Sequence, residues 1–515
     1  MICAHLLMRK NKNTFFLLAV ASLIIITSDF LMVRNKVLLG GDEVISYLCA
    51  TGNAGNYEEV LHKFPPYGKL VDAAEYKKYV EISEPKCFKK IATDLCADDM
   101  HPPLYFWLLH LFVLNFGVTI FTGILLNMIL QLITLFFVFK LANHFFNDEH
   151  KSAIAALIWS ISPACVGVSM NVRPYELLAL ITVLYLYFFF KWLTKQSKLN
   201  IIMLVLFGTL GMLTHYSFMY VMVACILFSL VKFKKIKFRN FSVLVVAAMV
   251  SFELMTIIHP CYFDSFIIQQ QRKQLFLLQE IPFRIIKIVL SLIQFVIPVF
   301  SAKILLMKFN SHVFNLISVL ISVLLGILIL VFRRKLFQKI HFQKLIPETR
   351  QLLLILSAII FLPYLFFITP IHAMGEQYLV YLYPLMAIVL LQINLSFSKS
   401  IKIIILSILF LGSCLSLFLT IQTNQNEFSK LIGYVEKSKV IVINNIDRRA
   451  FPRLIPYLKP GQQILMDENI TNENDSLMKS LLEHKPLLFI NKNSGEKFDT
   501  NDGVIFYAKF FEEKK

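Results

Sequence analysis

The sequence predicts an all-α polytopic membrane protein with a small C-terminal α/β domain, and three observations carry that prediction. The chain of 515 residues is 57% hydrophobic and 16% charged, whereas a soluble domain needs about 25% charge to cover its surface. Apolar runs of membrane-spanning length recur along it. Lysine and arginine collect in alternate connections between those runs, which is the positive-inside pattern.

The elements follow in order. Arg9, Lys10 and Lys12 precede an apolar run over residues 14–33, about 20 residues and therefore long enough for roughly 30 Å of hydrocarbon. The run ends in Asp29-Phe30-Leu31-Met32-Val33 without a small-residue cleavage site. It reads as an uncleaved first span with a cytoplasmic N-terminus. Further runs cover 120–139, 153–170, 177–193, 201–213, 218–231, 241–258, 313–332, 352–368, 378–393 and 403–421. Two more stretches, 102–117 and 283–300, are ambiguous, so the expectation is about 11–13 transmembrane helices.

Charge orients these spans. If neither ambiguous stretch crosses, the cytoplasmic connections hold Lys191, Lys195 and Lys198, the run Lys232, Lys234, Lys235, Lys237 and Arg239, and the run from Arg333 to Lys344. The outer turns at 214–217 and 370–377 then carry no Lys or Arg. Crossing by both stretches would put the densest basic run outside, against the bias. Both are therefore expected to lie in or dip into the outer leaflet. The chain becomes a multi-pass protein of the cell (inner or plasma) membrane, with its C-terminal domain extracytoplasmic. The net charge of +18 is absorbed by this bias, so membrane lipids rather than nucleic acid are the expected surroundings.

Three segments lie outside in this arrangement: the large first loop at 34–101, the stretch 259–282 and the tail. Short apolar runs at Val440–Ile443, Gln463–Met466, 487–490 and 504–508 alternate in the tail with helical patterns at 450–458 and 475–484. That alternation predicts a small α/β fold and divides the chain into a membrane domain over 1–425 and a soluble domain over 426–515. The tail has neither a Gly-rich phosphate loop nor clustered His or Cys, so scaffolding or acceptor docking is its expected role. Cys87 and Cys96 share the first loop, where a disulfide could form in an oxidising compartment. No Cys-x-x-Cys spacing supports a zinc site.

Four constellations stand out against the apolar background. Asp42-Glu43 follow Gly40-Gly41 just outside the first span. They read as a carboxylate pair, one member catalytic toward an acceptor hydroxyl and one structural, or as an ordinary polar loop start. Asp98-Asp99-Met100-His101-Pro102-Pro103 open the 102–117 stretch. Prolines and acids suit a helix start, which explains Asp99 but not His101. Arg173-Pro174-Tyr175-Glu176 lie in a short outer turn, where Arg173 runs against the charge bias. A charge at that depth usually has a partner, so Arg173 reads as a phosphate binder, a partner of a carboxylate, or a side chain reaching lipid headgroups. His215, in Thr214-His215-Tyr216, interrupts a continuous apolar run and is also compatible with a simple turn.

Taken together, the order GGDE, DMHPPLYFWLLHLFVLNFG, NVRPYELLAL and LTHYSF resembles the GT-C type glycosyltransferases that use dolichyl- or polyprenyl-phosphate sugars. The resemblance covers roughly residues 14–235 and points to bacterial enzymes related to protein O-mannosyltransferases and the lipid A aminoarabinose transferase. It implies a GT-C-like fold and inverting transfer of a sugar from a polyprenyl-phosphate donor to a protein, lipid or glycan acceptor outside the membrane. By the same resemblance Asp42 is the base and Glu43 supports it, while Asp99, His101, Arg173 and Tyr175 line the donor phosphate, with His215 beside them. No cofactor is required by it. A divalent metal is used by some such enzymes, and Asp42, Glu43 and Asp99 are the carboxylates that could hold one. A late span in these relatives often begins Arg-Tyr, and here the pair is Gln377-Tyr378. The alternative class is a transporter or flippase for a lipid-linked or polar substrate. That class would show paired broken helices and ionisable groups at the midplane, and the sequence shows no internal repeat.

Overall fold

The structure, a computed structural model, describes residues 12–55, 69–82, 84–97, 101–232, 238–263, 281–296, 347–366, 376–395, 399–444, 453–467, 470, 476–482, 486–491, 495–499 and 505–512. Its chain gathers into two compact units. One holds Met1–Phe30, Asn127–Met170 and Pro174–Leu419; the other holds Leu31–Leu126, Asn171–Arg173 and Thr420–Lys515.

The first unit is helical. Among the described residues, Lys12–Asn35, Ile120–Phe146, Tyr175–Thr194 and Phe238–Ile258 are long and apolar enough to cross a membrane. The run expected over 153–170 is broken into Glu149–Ser160 and Pro163–Ser169, bent by 59°. Pro163 causes the break: it lacks an N–H and its ring excludes the carbonyl one turn back. It also holds Ser162 extended, at φ −72° and ψ 129°. The backbone and side-chain groups freed at the break are used elsewhere, because Ser162 Oγ donates to Phe295 O at 2.7 Å and Ser413 Oγ donates to Ile161 O. The remaining described runs appear as Lys198–Thr214, Tyr216–Val231, Pro347–Phe366, Tyr383–Leu395 and Lys399–Lys437. The expected span at 313–332 and much of the basic run after it lie outside the described residues.

Small residues let these helices approach closely, as membrane helices require. A Cβ on Gly208 would overlap the Ser251 side chain. With a glycine there, Ser251 Oγ donates to Val205 O at 3.1 Å and Thr209 Oγ1 donates to Ser251 O at 3.4 Å.

The second unit combines the first loop with the tail. Its sheet has six strands in the order β1-β3-β2-β4-β6-β5. β1 is Leu70–Asp72, β2 Val440–Ile443, β3 Gln463–Met466, β4 Leu487–Asn491, β5 Glu496–Asp499 and β6 Ile505–Phe511. The centre is parallel (β3, β2, β4), and β1, β6 and β5 are antiparallel to their neighbours. β2 is buried along its whole length, the pattern of a strand covered on both faces. Val440, Val442, Leu465, Met478, Leu481 and Phe489 form one core against the sheet. Four of the six strands come from the tail runs read in the sequence. β1, however, comes from the first loop, so the tail's sheet is completed by a segment about 390 residues upstream of the strand it pairs with (Leu70 pairs with Leu465).

Also in this unit, the 102–117 stretch forms the helix Leu104–Phe116, whose 13 residues reach roughly 20 Å and cannot cross the bilayer alone. It packs on the helix Gly41–Ala50. Buried His110 links the two, its Nδ1 lying 2.7 Å from Ala50 O and its Nε2 3.1 Å from Pro85 O. The expected Cys87–Cys96 disulfide is not formed. Cys87 is a buried thiol outside any disulfide, 3.6 Å from His110 Nδ1, because that packing turns it into the loop's interior.

Candidate active site

The site is built on a helix start. The first span's helix ends at Asn35, and after residues 36–40 the chain enters Gly41–Ala50. Gly40 is the N-cap, extended at φ −64° and ψ 159°, and its N–H donates to Glu43 Oε2 at 2.5 Å. This is half of a capping arrangement, the carboxylate three residues on reaching back to an orphan donor. A Cβ at Gly40 would sit 3.1 Å from Glu43 Oε2, so a larger residue there would press on the carboxylate.

The adjacent carboxylates part at this point. Asp42 is exposed in the first helical turn, whereas Glu43 is 2% exposed. Glu43 Oε1 accepts from Lys36 Nζ at 2.5 Å and from Val172 N at 2.9 Å. Its oxygens are thus engaged by a buried ammonium and two backbone amides. Held in this way, they do not join Asp42 as a chelating pair for a metal. Asp99 lies outside the described residues.

Arg173 arrives on the three-residue segment that Glu43 anchors through Val172. Only 8% exposed, it donates from Nη1 to Asp42 O at 3.1 Å and to Ser46 Oγ at 3.4 Å. Its Nη2 lies 3.4 Å from His101 Nε2. The Asp42 carbonyl also accepts from Ser46 Oγ at 3.1 Å. Arg173 therefore meets the backbone of Asp42 and the ring of His101, and the helix's positive end favours the exposed carboxylate beside them. His101 in turn packs edge-on to Phe106, with ring centroids 6.4 Å apart.

Close packing fixes the far side of this helix. Tyr47 donates its hydroxyl to Thr119 O at 2.5 Å. A Cβ on Gly123 would overlap both Val172 methyls and come within 2.7 Å of that hydroxyl. Burial first, and the Glu43 carboxylate second, push the Tyr47 and Tyr457 phenols up, so both remain hydroxyl donors. Tyr457 belongs to the tail and donates to Val37 O at 2.6 Å.

Of the residues singled out in the sequence, Asp42, Glu43, His101 and Arg173 come together in this unit. Tyr175 and His215 belong to the other, where their rings lie 6.0 Å apart. His215 Nδ1 accepts from Ser217 N at 3.2 Å and pairs with Ser217 Oγ at 2.5 Å. That hydroxyl also bonds Tyr381, three residues after Tyr378 of the Gln377-Tyr378 pair. Lys36 and Tyr457 were not singled out in the sequence: a lysine past a span end and a tyrosine in an α/β tail are both ordinary there.

Residues 100–259 match the family described as dolichyl-phosphate-mannose-protein mannosyltransferase. Over nearly the whole chain the structure is similar to ArnT from Cupriavidus metallidurans bound to undecaprenyl phosphate, with TM-score 0.52, 11% identity, and coverage of 96% of this chain and 97% of that one. The chain has a GT-C fold. The apo ArnT structure from the same organism gives TM-score 0.50 at 12% identity, over 96% and 97% of the two chains. An oligosaccharyltransferase from Archaeoglobus fulgidus gives 0.47 at 13% identity, over 92% and 68%. No curated protein matches the chain by sequence. The GT-C resemblance read from the ordered motifs, with its polyprenyl-phosphate-sugar-dependent relatives, is borne out by the family match and by the ArnT-like fold.

Proposed function

We propose that the chain is an integral membrane glycosyltransferase that moves a sugar from a polyprenyl-phosphate donor to an acceptor on the extracytoplasmic side. One observation supports this most: an exposed Asp42 stands at the start of an otherwise buried helix, with Arg173 and His101 fixed beside it. Asp42 takes the proton of the acceptor hydroxyl, which is far too weak an acid to ionise unaided. The oxygen attacks the anomeric carbon as its bond to the donor phosphate breaks, and polyprenyl phosphate leaves with the bonding pair. A single displacement inverts that carbon. Arg173 and His101 stabilise the negative charge that develops on the leaving phosphate, while Tyr175 and His215 are given to the donor by their motifs. Asp99 joins them by its motif alone. Glu43 serves the framework and does not touch substrate.

A lipid-linked donor is confined to the bilayer, which suits a site near the end of the first span. The acceptor is a protein, a lipid or a glycan. Membranes containing the wild-type chain, incubated with radiolabelled polyprenyl-phosphate sugars, are expected to transfer label from at least one donor. No transfer from any of them contradicts the proposal. Arg173→Ala is expected to raise the donor KM more than the acceptor KM, and equal changes would remove Arg173 from the phosphate.

A further inference from the structure

We infer that Lys36 and Tyr457 are positioning residues for this transfer, holding the turn that presents Asp42 from two distant parts of the chain. The inference rests on the reading of Asp42 as the base. The turn itself, Val37 to Gly41, ends in two glycines and has no rigid side chain of its own at the helix start. Its geometry is set by what grips it. Lys36 is 9% exposed, and a buried ammonium is costly unless it is paired and hydrogen-bonded. It is paired with Glu43 at 2.5 Å, and Glu43 also holds the Gly40 and Val172 amides. One carboxylate thus ties the residue just before the turn, the helix N-cap and the segment bearing Arg173.

The second grip comes from the tail. Tyr457, in the short turn Ile455–Tyr457, donates to Val37 O at 2.6 Å, next to Lys36. The tail is itself registered on the first loop. Leu70–Asp72 pairs with Gln463–Met466, Ala73 N donates to Gln462 O at 2.8 Å, and Gln463 Nε2 reaches Asp72 Oδ2 at 3.4 Å. The tail, for which scaffolding or acceptor docking was expected from its sequence, is therefore part of the frame of the site. Small displacements of a reacting group are expensive, with about 1 Å costing up to about a hundredfold in rate.

The test uses the full chain and sugar transfer per folded molecule. Tyr457→Phe, which removes one oxygen, and Lys36→Met are each expected to lower kcat about tenfold with donor KM unchanged, and Lys36→Arg to recover most of the loss. In an Asp42→Asn background both substitutions are expected to have no further effect, because they act through the placement of Asp42. Hydrogen exchange at residues 40–44 should quicken in both variants while β2 to β4 stay protected. An unchanged kcat, the same fold-loss in the Asp42→Asn background, or unaltered exchange at 40–44 overturns the inference. A wild-type chain that transfers no sugar is a different failure, recognisable because every variant is silent, and it removes the transferase reading along with this one.

Discussion

The start of the Gly41–Ala50 helix and the interior of the span unit both bury carboxylates, and they treat them differently. At the helix start Glu43 has a lysine and two backbone amides around it. In the span unit Asp29 accepts one hydrogen bond, from Ser169 Oγ at 3.0 Å. Glu176 is 2% exposed and lies within electrostatic reach of Asp29. Asp29 Oδ2 and Glu176 Oε2 have no hydrogen-bond partner among the described residues. A carboxylate with a full set of donors is an anchor whose charge is needed, whereas one with a single hydroxyl can be replaced by an amide of the same shape.

The largest expected effect breaks the anchor. Glu43→Gln takes the carboxylate charge away from the buried Lys36 ammonium, a change that costs about 3–5 kcal/mol. Thermal unfolding in detergent should show a large fall in Tm, and a Tm near wild type would mean that the pair is not holding the turn. Gly123→Ala comes next. The new methyl meets Val172 and Tyr47, and overpacking of this kind costs about 1–3 kcal/mol; the same unfolding measurement reads it, with no loss expected if the two elements can separate. The smallest effects belong to the other region. Asp29→Asn and Glu176→Gln should each change stability by less than about 1 kcal/mol and leave the transfer rate intact. A loss as large as that of Glu43→Gln would erase the contrast.

Much of this organisation was legible in the sequence, and what was not has physical reasons. Strands β2, β3 and β4 are short, buried and rich in Val, Ile and Leu, so their runs were visible. β1 is only Leu70-Val71-Asp72 in a polar loop, and pairing with β3 is what makes it a strand. β5 reads Glu496-Lys497-Phe498-Asp499 and is likewise created by its neighbour, β6. The kink at Ser162-Pro163 was hidden because hydropathy averages across a single proline. Asp42, His101 and Arg173 could be found because polar groups are rare in such a chain. Lys36 and Tyr457 could not: each matters through one partner, seven residues away for Lys36 and 420 for Tyr457. The Cys87–Cys96 pairing failed because proximity in sequence says nothing of which way a buried thiol faces.

The contrast also separates the two halves of the Asp42-Glu43 pair, one exposed and one fully engaged. The most direct measurement is therefore the transfer rate of Asp42→Asn against wild type at matched amounts of folded protein, with a radiolabelled polyprenyl-phosphate sugar as donor. Loss of a general base costs about 10²–10⁴-fold, so the account predicts a fall of that size with Tm unchanged. A rate equal to wild type would contradict it.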